Sequence, residues 1–304
     1  MMNYRVDSGR RGFISNTLKA AGALTVAGIS IGGMAARLHF ADKEYTVGEV
    51  IDIILKEIPG APVKQTVDTI KSGSASNKVT GIVTTMFATI DVIKAAAKLN
   101  ANFIIAHEPT FYNHEDDINY VPDNGVVKQK QLLLQEHNIT VWRFHDYWHM
   151  YKPDGIGYGV LKRTGWLKYY EPGKMVLTIP ALTLASLADH LKTTLGIEHL
   201  RLIGDMKQAC MRVALLPGAA GGHEQISVAE KEKPDVLIVG ELSEWETAEY
   251  IRDARALGSK TSLIVLGHSV SEEPGMEWLV EWLQPKMPGL NIAHIASGNP
   301  FSWA

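Results

Sequence analysis

The chain has 304 residues, 46% hydrophobic and 21% charged, a balance that fits one large or two ordinary soluble domains and excludes a disordered chain, a collagen and a multi-span membrane protein. Thirty Lys and Arg against 33 Asp and Glu give a net charge of −3, which argues against nucleic-acid binding, a function that needs concentrated positive charge. The one cysteine, Cys210, excludes an intrachain disulfide and a cysteine-based zinc site, so the placement of the eleven histidines becomes the informative feature.

Residues 1–36 read as a separate unit. Arg10-Arg11-Gly12-Phe13 precedes an uncharged run from Ala20 to Ala36 rich in Ala, Gly, Leu, Val and Ile. A charged start, a modest apolar run and the small residues Ala35-Ala36 are the parts of an export signal, and paired arginines followed by Phe resemble the twin-arginine type. The same run also reads as an amphipathic N-terminal helix or a retained anchor. Its removal takes away four basic residues and one acidic residue and leaves a net charge of −6. The predicted mature chain is acidic, periplasmic and free of the membrane, and its lone Cys210 reads as a buried, inert thiol.

Val47, Val50, Ile51, Ile54 and Ile58 recur at helical spacing until Pro59-Gly60 stops them. Ser72 to Lys78 is a loop, and the β-branched run Val79–Thr85 a strand. A helix capped by Thr89 reaches Asn100, Phe103–Ala106 is a short buried strand, Asn124 opens a helix, and Thr140–Phe144 is the next strand. A second half begins near Glu171-Pro172-Gly173: a strand at Met175–Ile179, a helix from Leu184 to Gly196, and strands at Leu200–Ile203, Arg212–Leu216, Val236–Val239 and Ser262–Leu266. Helices are predicted at Ser243–Leu257 and Pro274–Leu283, and a last strand at Asn291–Ile295. Strands alternating with helices of this length predict an α/β architecture of two related layered domains with mixed sheets, 37–170 and 171–304, with exchange of the terminal segments between them left open.

Three strand ends carry polar clusters. Phe103–Ala106 runs into His107-Glu108-Pro109; Thr140–Phe144 runs into His145-Asp146, with His149 four residues on; Ser262–Leu266 runs into Gly267-His268, with Glu272 four residues on. The carboxyl ends of strands are where open α/β sheets place their sites, here the cleft between the two domains. Imidazole and carboxylate together suit two divalent ions drawn from Zn, Mn, Fe, Co or Ni, and the seven groups His107, Glu108, His145, Asp146, His149, His268 and Glu272 are enough for a dinuclear centre. Taken singly, each strand-end histidine reads more readily as a loop residue bonded to backbone than as a ligand; the recurrence at three equivalent positions favours the joint reading.

The run Gly267-His268-Ser269-Val270-Ser271-Glu272, followed by Glu273-Pro274-Gly275-Met276, resembles the C-terminal signature of the Nif-three-like dinuclear metal-centre hexameric proteins, also named GTP cyclohydrolase I type 2 homologues. Gly81-Ile82-Val83 leading to His107-x-Pro109, Val239-Gly240-Glu241, and Ser297-Gly298-Asn299-Pro300-Phe301 resemble further blocks of that family. The resemblance implies ligands at His107, Glu108, the His145–His149 segment, His268 and Glu272, and a ring-shaped hexamer. Two departures stand out: Glu108 occupies the place of the family's second histidine, and the family's aspartate falls on His149 when counted from His145 but on Asp146 by residue type.

Glu241 and Glu244 flank a strand end and a helix start. They read as a general base or an orienting carboxylate near the metals, or, for Glu244, as a complement to the helix dipole. Pro217-Gly218-Ala219-Ala220-Gly221-Gly222 reads as a tight turn rather than a phosphate cradle, since it lacks the spacing of either nucleotide fingerprint. Tyr147, Trp148 and Tyr151 either wall a pocket or pack; Trp278 and Trp282, four apart, pack. No Gly-x-Ser-x-Gly elbow, His-Glu-x-x-His helix or P-loop is present. The leading expectation is a metal-dependent hydrolase in which two ions activate a bridging water against a small-molecule amide, ester or phosphoester; the alternative is a non-catalytic metal-binding ring for storage, sensing or scaffolding. An open metal position beside a lined pocket discriminates the first from the second.

Overall fold

The computed structural model describes residues 44–174 and 176–303; the expected export segment lies outside them. Among the described residues no helix is long and apolar enough to cross a membrane. Helix α1 (Val47–Leu55) starts on a reciprocal cap, with Thr46 accepting from the Glu49 amide while the Glu49 carboxylate accepts from the Thr46 amide. It ends one turn short of the expected Ile58, in i→i+3 turns from Ile54 and Leu55 to Glu57 and Ile58. Strands β1 (Ile70–Ser72), β2 (Ile82–Thr85), β3 (Phe103–Ala106) and β4 (Thr140–Arg143) alternate with α2 (Ile90–Lys98) and α3 (Gly125–Glu136). Two short helices follow, α4 (Asp146–Met150) and α5 (Gly155–Arg163).

The second half runs β5 (Val176–Thr183), α6 (Leu184–Leu195), β6 (Arg201–Ile203), β7 (Ala209–Leu216), α7 (Gly222–Glu232), β8 (Val236–Val239), α8 (Glu249–Ala256), β9 (Ser262–Val265) and α9 (His268–Leu283), and closes with β10 (Ile292–His294). The helix expected from Ser243 opens with a π-helical turn at Glu244–Ala248 before α8, and the helix expected from Pro274 starts six residues earlier, at His268. Pro274 therefore lies inside α9.

Each half is built on a five-stranded mixed sheet. The first has the order β1-β4-β3-β2-β10, with β1 antiparallel to β4 and the rest parallel. The second has the order β5-β7-β8-β9-β6, with a parallel centre and both edges antiparallel. Central parallel strands are covered on both faces, which is why β3 (FIIA) and β8 (VLIV) are unbroken apolar runs with every residue buried. The last strand, β10, returns to the first sheet and pairs with β2.

Helix α9 leaves the second sheet but packs its Met276, Leu279 and Leu283 into the core of the first, with Ile156 of α5 beside them. Gly159 and Gly275 let α5 and α9 touch backbone to backbone: a methyl on Gly159 would sit 2.4 Å from the Pro274 carbonyl oxygen, and one on Gly275 2.6 Å from the Ile156 Cα. Trp148 is fully buried and stacks on Trp278 with centroids 5.0 Å apart; Tyr147 is buried too, so these rings pack rather than wall a pocket. Cys210 lies in β7, and burial pushes its thiol up to about 11, which leaves little thiolate at neutral pH.

Candidate metal centre

Strands β3, β4 and β9 each end at a histidine of one polar cluster, so the two sheets face it together. His107 follows β3, His145 stands at the N-cap of α4 after β4 and His149 lies within that helix, and His268 and Glu272 lie one turn apart at the start of α9. Ligand-type atoms of His107, His145 and His149 lie within 4.8 Å of one another, as do those of His107, Glu108 and Glu272, so His107 belongs to both groups.

Three imidazoles have Nδ1 committed outward. His107 Nδ1 meets the Phe144 carbonyl at 3.0 Å, His145 Nδ1 the Asp146 carboxylate at 2.9 Å, and His149 Nδ1 the Asp154 carboxylate at 2.7 Å. A carbonyl or carboxylate only accepts, so each Nδ1 carries the hydrogen and each Nε2 presents a lone pair. His107 Nε2 is buried without a hydrogen-bond partner, 3.7 Å from Glu272 Oε2. An orphaned imidazole nitrogen beside two carboxylates, with its ring orientation fixed from behind, fits a divalent cation.

Glu108 Oε1 lies 3.5 Å from both His145 Nε2 and His268 Nε2, while Oε2 faces Arg143 Nη2 at 3.5 Å. Arg143 is fully buried and binds the 107–116 segment: Nε donates to the His107 carbonyl, Nη1 to that of His114, and Asp116 lies 3.6 Å away. Burial pushes the Glu108 carboxyl up, but His268, His145 and Arg143 outweigh it and hold the group below the usual carboxylate range. Burial and the neighbouring imidazoles of His149 and His145 push His107 well down, keeping it neutral. Burial also opposes the charge on His149, yet the Asp154 carboxylate raises it above its ordinary value. His268 is different again: burial pulls it down, but Glu108, Glu241 and Glu272 surround it and push it up to about 12. Its Nδ1 is 3.3 Å from Glu241 Oε2 and its Nε2 is 3.1 Å from Glu272 Oε2.

The geometry brings together His107, Glu108, His145, His149, His268 and Glu272. Asp146 stands behind them: Oδ1 takes His145, and Oδ2 accepts from the Thr66 hydroxyl at 2.7 Å and the Val67 amide at 3.1 Å. Glu241 orients His268 from outside the cluster. Glu244 lies apart, exposed and paired with Arg201 at 2.5 Å. The Gly-rich loop serves close packing: Gly218 (φ 66°) lies so near Glu272 that a methyl there would come within 2.0 Å of Oε1, and its amide donates to the Ser271 hydroxyl at 2.9 Å.

Asp68 and Asp154 were not singled out from the sequence. Asp68, buried and 77 to 79 residues away in sequence, accepts the amides of His145, Asp146 and Tyr147 at 2.8, 3.0 and 2.8 Å, satisfying the start of α4. Asp154 caps α5 through the Gly157 amide with one oxygen and holds His149 with the other. An Asp before a Gly-rich helix start is a readable cap; its second task has no sequence signal.

The Duf34/NIF3 (NGG1p interacting factor 3) family model matches residues 47–300. The GTP cyclohydrolase 1 type 2 homolog of Clostridium perfringens is 23% identical over 241 residues, 75% of this chain and 87% of that protein. The protein of the same name from Escherichia coli K12 is 26% identical over 223 residues, 72% of this chain and 85% of that one. Among solved structures, the Bacillus cereus protein related to NIF3 superposes with a TM-score of 0.68 at 14% identity, covering 86% of this chain and all of that one. Reduced HcgD from Methanocaldococcus jannaschii gives a TM-score of 0.62 at 17% identity, covering 83% of this chain and 98% of that one. The matched residues 47–300 include both sheets and the polar cluster, and the chain belongs to the Duf34/NIF3 family.

Proposed function

We propose that the chain is a metal-dependent hydrolase whose centre takes two divalent ions, exported to the periplasm and assembled as a hexamer, and acting on a small-molecule amide, ester or phosphoester. The observation that carries this reading is the convergence of three Nε2 lone pairs, each aimed by an acceptor on Nδ1, with the unpartnered His107 Nε2 at their centre. His107, Glu108, His145, His149, His268 and Glu272 would hold the ions. Set beside the ligand pattern that the family resemblance implies, Glu108 and His149 amount to an exchange, in which one carboxylate and one imidazole have traded places, and His145 adds a further imidazole.

Bound divalent ions would supply Lewis acidity, polarising a carbonyl or phosphoryl oxygen and lowering the pKa of water. The chain's own groups do the rest. Glu241 is about half exposed at the edge of the cluster, so its carboxylate can accept a proton from water or return one to a leaving oxygen or nitrogen, while its contact with His268 Nδ1 fixes that ring. Arg143 and Asp154 hold Glu108 and His149 in place from behind. Water adds across the acyl or phosphoryl bond, and the leaving group departs protonated.

The test is elemental analysis of protein purified without chelator, followed by assay of the metal-loaded protein on amides, esters and phosphoesters. Near two equivalents of Zn, Mn, Fe, Co or Ni per chain and hydrolysis abolished by a chelator are the expected results. A content near zero that added metal does not restore overturns the centre. Full occupancy with no turnover of any class overturns the hydrolase and leaves a storage or scaffold ring.

A further inference from the structure

Beside the cluster lies a cavity of about 590 Å³, within the range of roughly 300–1,000 Å³ common for small-molecule sites. His268 and Glu241 form its edge toward the cluster. The rest of the wall is largely apolar and includes several rings. Phe87 meets the His268 ring edge-on at 5.8 Å between centroids, and Trp303 lies stacked on His199 at 5.0 Å. Phe301 and Trp303, on the same wall, are 78% and 55% exposed, a large ring surface left in water at the cavity mouth.

The charges on this wall are already committed. Among the described residues that line it, Arg201 is the one Lys or Arg, and its guanidinium is held by Glu244 at 2.5 Å. Glu241 is held by His268. The wall therefore offers flat apolar surface and no uncommitted cation for a polyanionic group.

We propose that this cavity binds a planar, uncharged aryl group carried by the substrate, which places the attached acyl or amide group at the His268 edge; the role of that group as substrate rests on the hydrolase reading above. Flat rings stack on flat rings and bury a large area with little loss of rotamer freedom, which is what Trp303, Phe301 and Phe87 provide. The Trp303 and Phe301 side chains touch the ring and not the cluster, so they determine specificity without holding metal.

Binding is read by saturation-transfer NMR on the full-length protein, with acetanilide as probe and N-methylacetamide, the same amide without the ring, as control. Acetanilide is expected to receive saturation and N-methylacetamide not to. Trp303→Ala and Phe301→Ala should each weaken acetanilide binding at least fivefold, with metal content and thermal midpoint unchanged. Hydrolysis of benzyl acetate to acetate and benzyl alcohol, whose leaving group is close to methanol in basicity, should exceed that of methyl acetate at least tenfold in kcat/KM, through KM, and Trp303→Ala should erase the difference. Acetanilide binding that is absent, or unchanged in both variants, overturns the aryl site. Binding lost in the variants, with neither ester hydrolysed, upholds the aryl site and overturns ester hydrolysis as its reaction; equal hydrolysis of both esters without acetanilide binding overturns the aryl site and leaves the hydrolase standing.

Discussion

The two sheets supply the cluster with different kinds of groups. On the first-sheet side His107, His145 and His149 each lean on one fixed acceptor, and Glu108 on a fully buried arginine. On the second-sheet side His268 stands among three carboxylates, with no backbone acceptor on its ring among the described residues and the cavity at its back. The first side is a rigid frame whose ring orientations are settled before any ion arrives. The second is held by the very carboxylates that an ion would claim, so ion and His268 compete for the same oxygens.

The most damaging change should fall on the frame. Asp68→Ala strands three buried amides at the start of α4 and should cost about 4 kcal/mol of unfolding free energy, with loss of metal because His145 and His149 are carried by that helix. A denaturant midpoint within error of wild type would show that the frame does not depend on it.

The frame also contains a strained cation. Lys130 on α3 is buried under the Thr110 carbonyl at 2.7 Å, and burial, partly offset by Asp116, pulls its pKa down to about 8. Because the folded pKa lies below the unfolded value near 10.4, the unfolded chain binds more protons between these values. The cost is fully present below pH 8 and is relieved as pH rises toward the unfolded pKa, by about 3 kcal/mol in all. From pH 7.5 to 10 the stability of wild type should therefore gain on that of Lys130→Met by about 2 kcal/mol. A constant difference between them across this range would remove Lys130 as the source.

Gly218→Ala sharpens the contrast from the other sheet. Its methyl would displace the flexible Glu272 carboxylate and adopt a left-handed backbone at a cost of about 1 kcal/mol, so metal content should fall by half or more in a protein that still folds. Full metal with a large loss of stability would reverse that reading. Glu241→Gln should have the smallest effect on metal and fold: it removes an outer partner of His268 and should weaken metal binding about tenfold in a chelator titration, with no change in melting. Unchanged affinity would show that Glu241 does not orient the ring.

The same contrast explains what could be read from the sequence. His107, His145 and His268 were legible because the strands before them are short, β-branched and mostly apolar, and a polar group following such a strand sits at its carboxyl end. The groups that hold this frame were not legible: Asp68 acts across nearly eighty residues, and nothing in the sequence around Arg143 marks it as the anchor of Glu108. Helix α5, with Gly155, Gly157 and Gly159, has poor helical propensity and was missed because its glycines serve contact with Trp148 and α9 rather than the helix itself. The residue numbering of the third block left Asp146 and His149 as alternatives, a choice that depends on the turn of α4, which lifts His149 toward His107 and leaves Asp146 facing Thr66.

The return of β10 to the first sheet sets a timetable for biosynthesis. Strand β2 emerges early, but its neighbour is encoded about 200 residues later, a wait of roughly 10–40 s at ordinary translation rates. For that time β2 is an open edge, a template on which another nascent chain could pair. Chaperone demand should therefore peak before Ile292–His294 leaves the ribosome, and truncations that remove this short strand should aggregate out of proportion to their length.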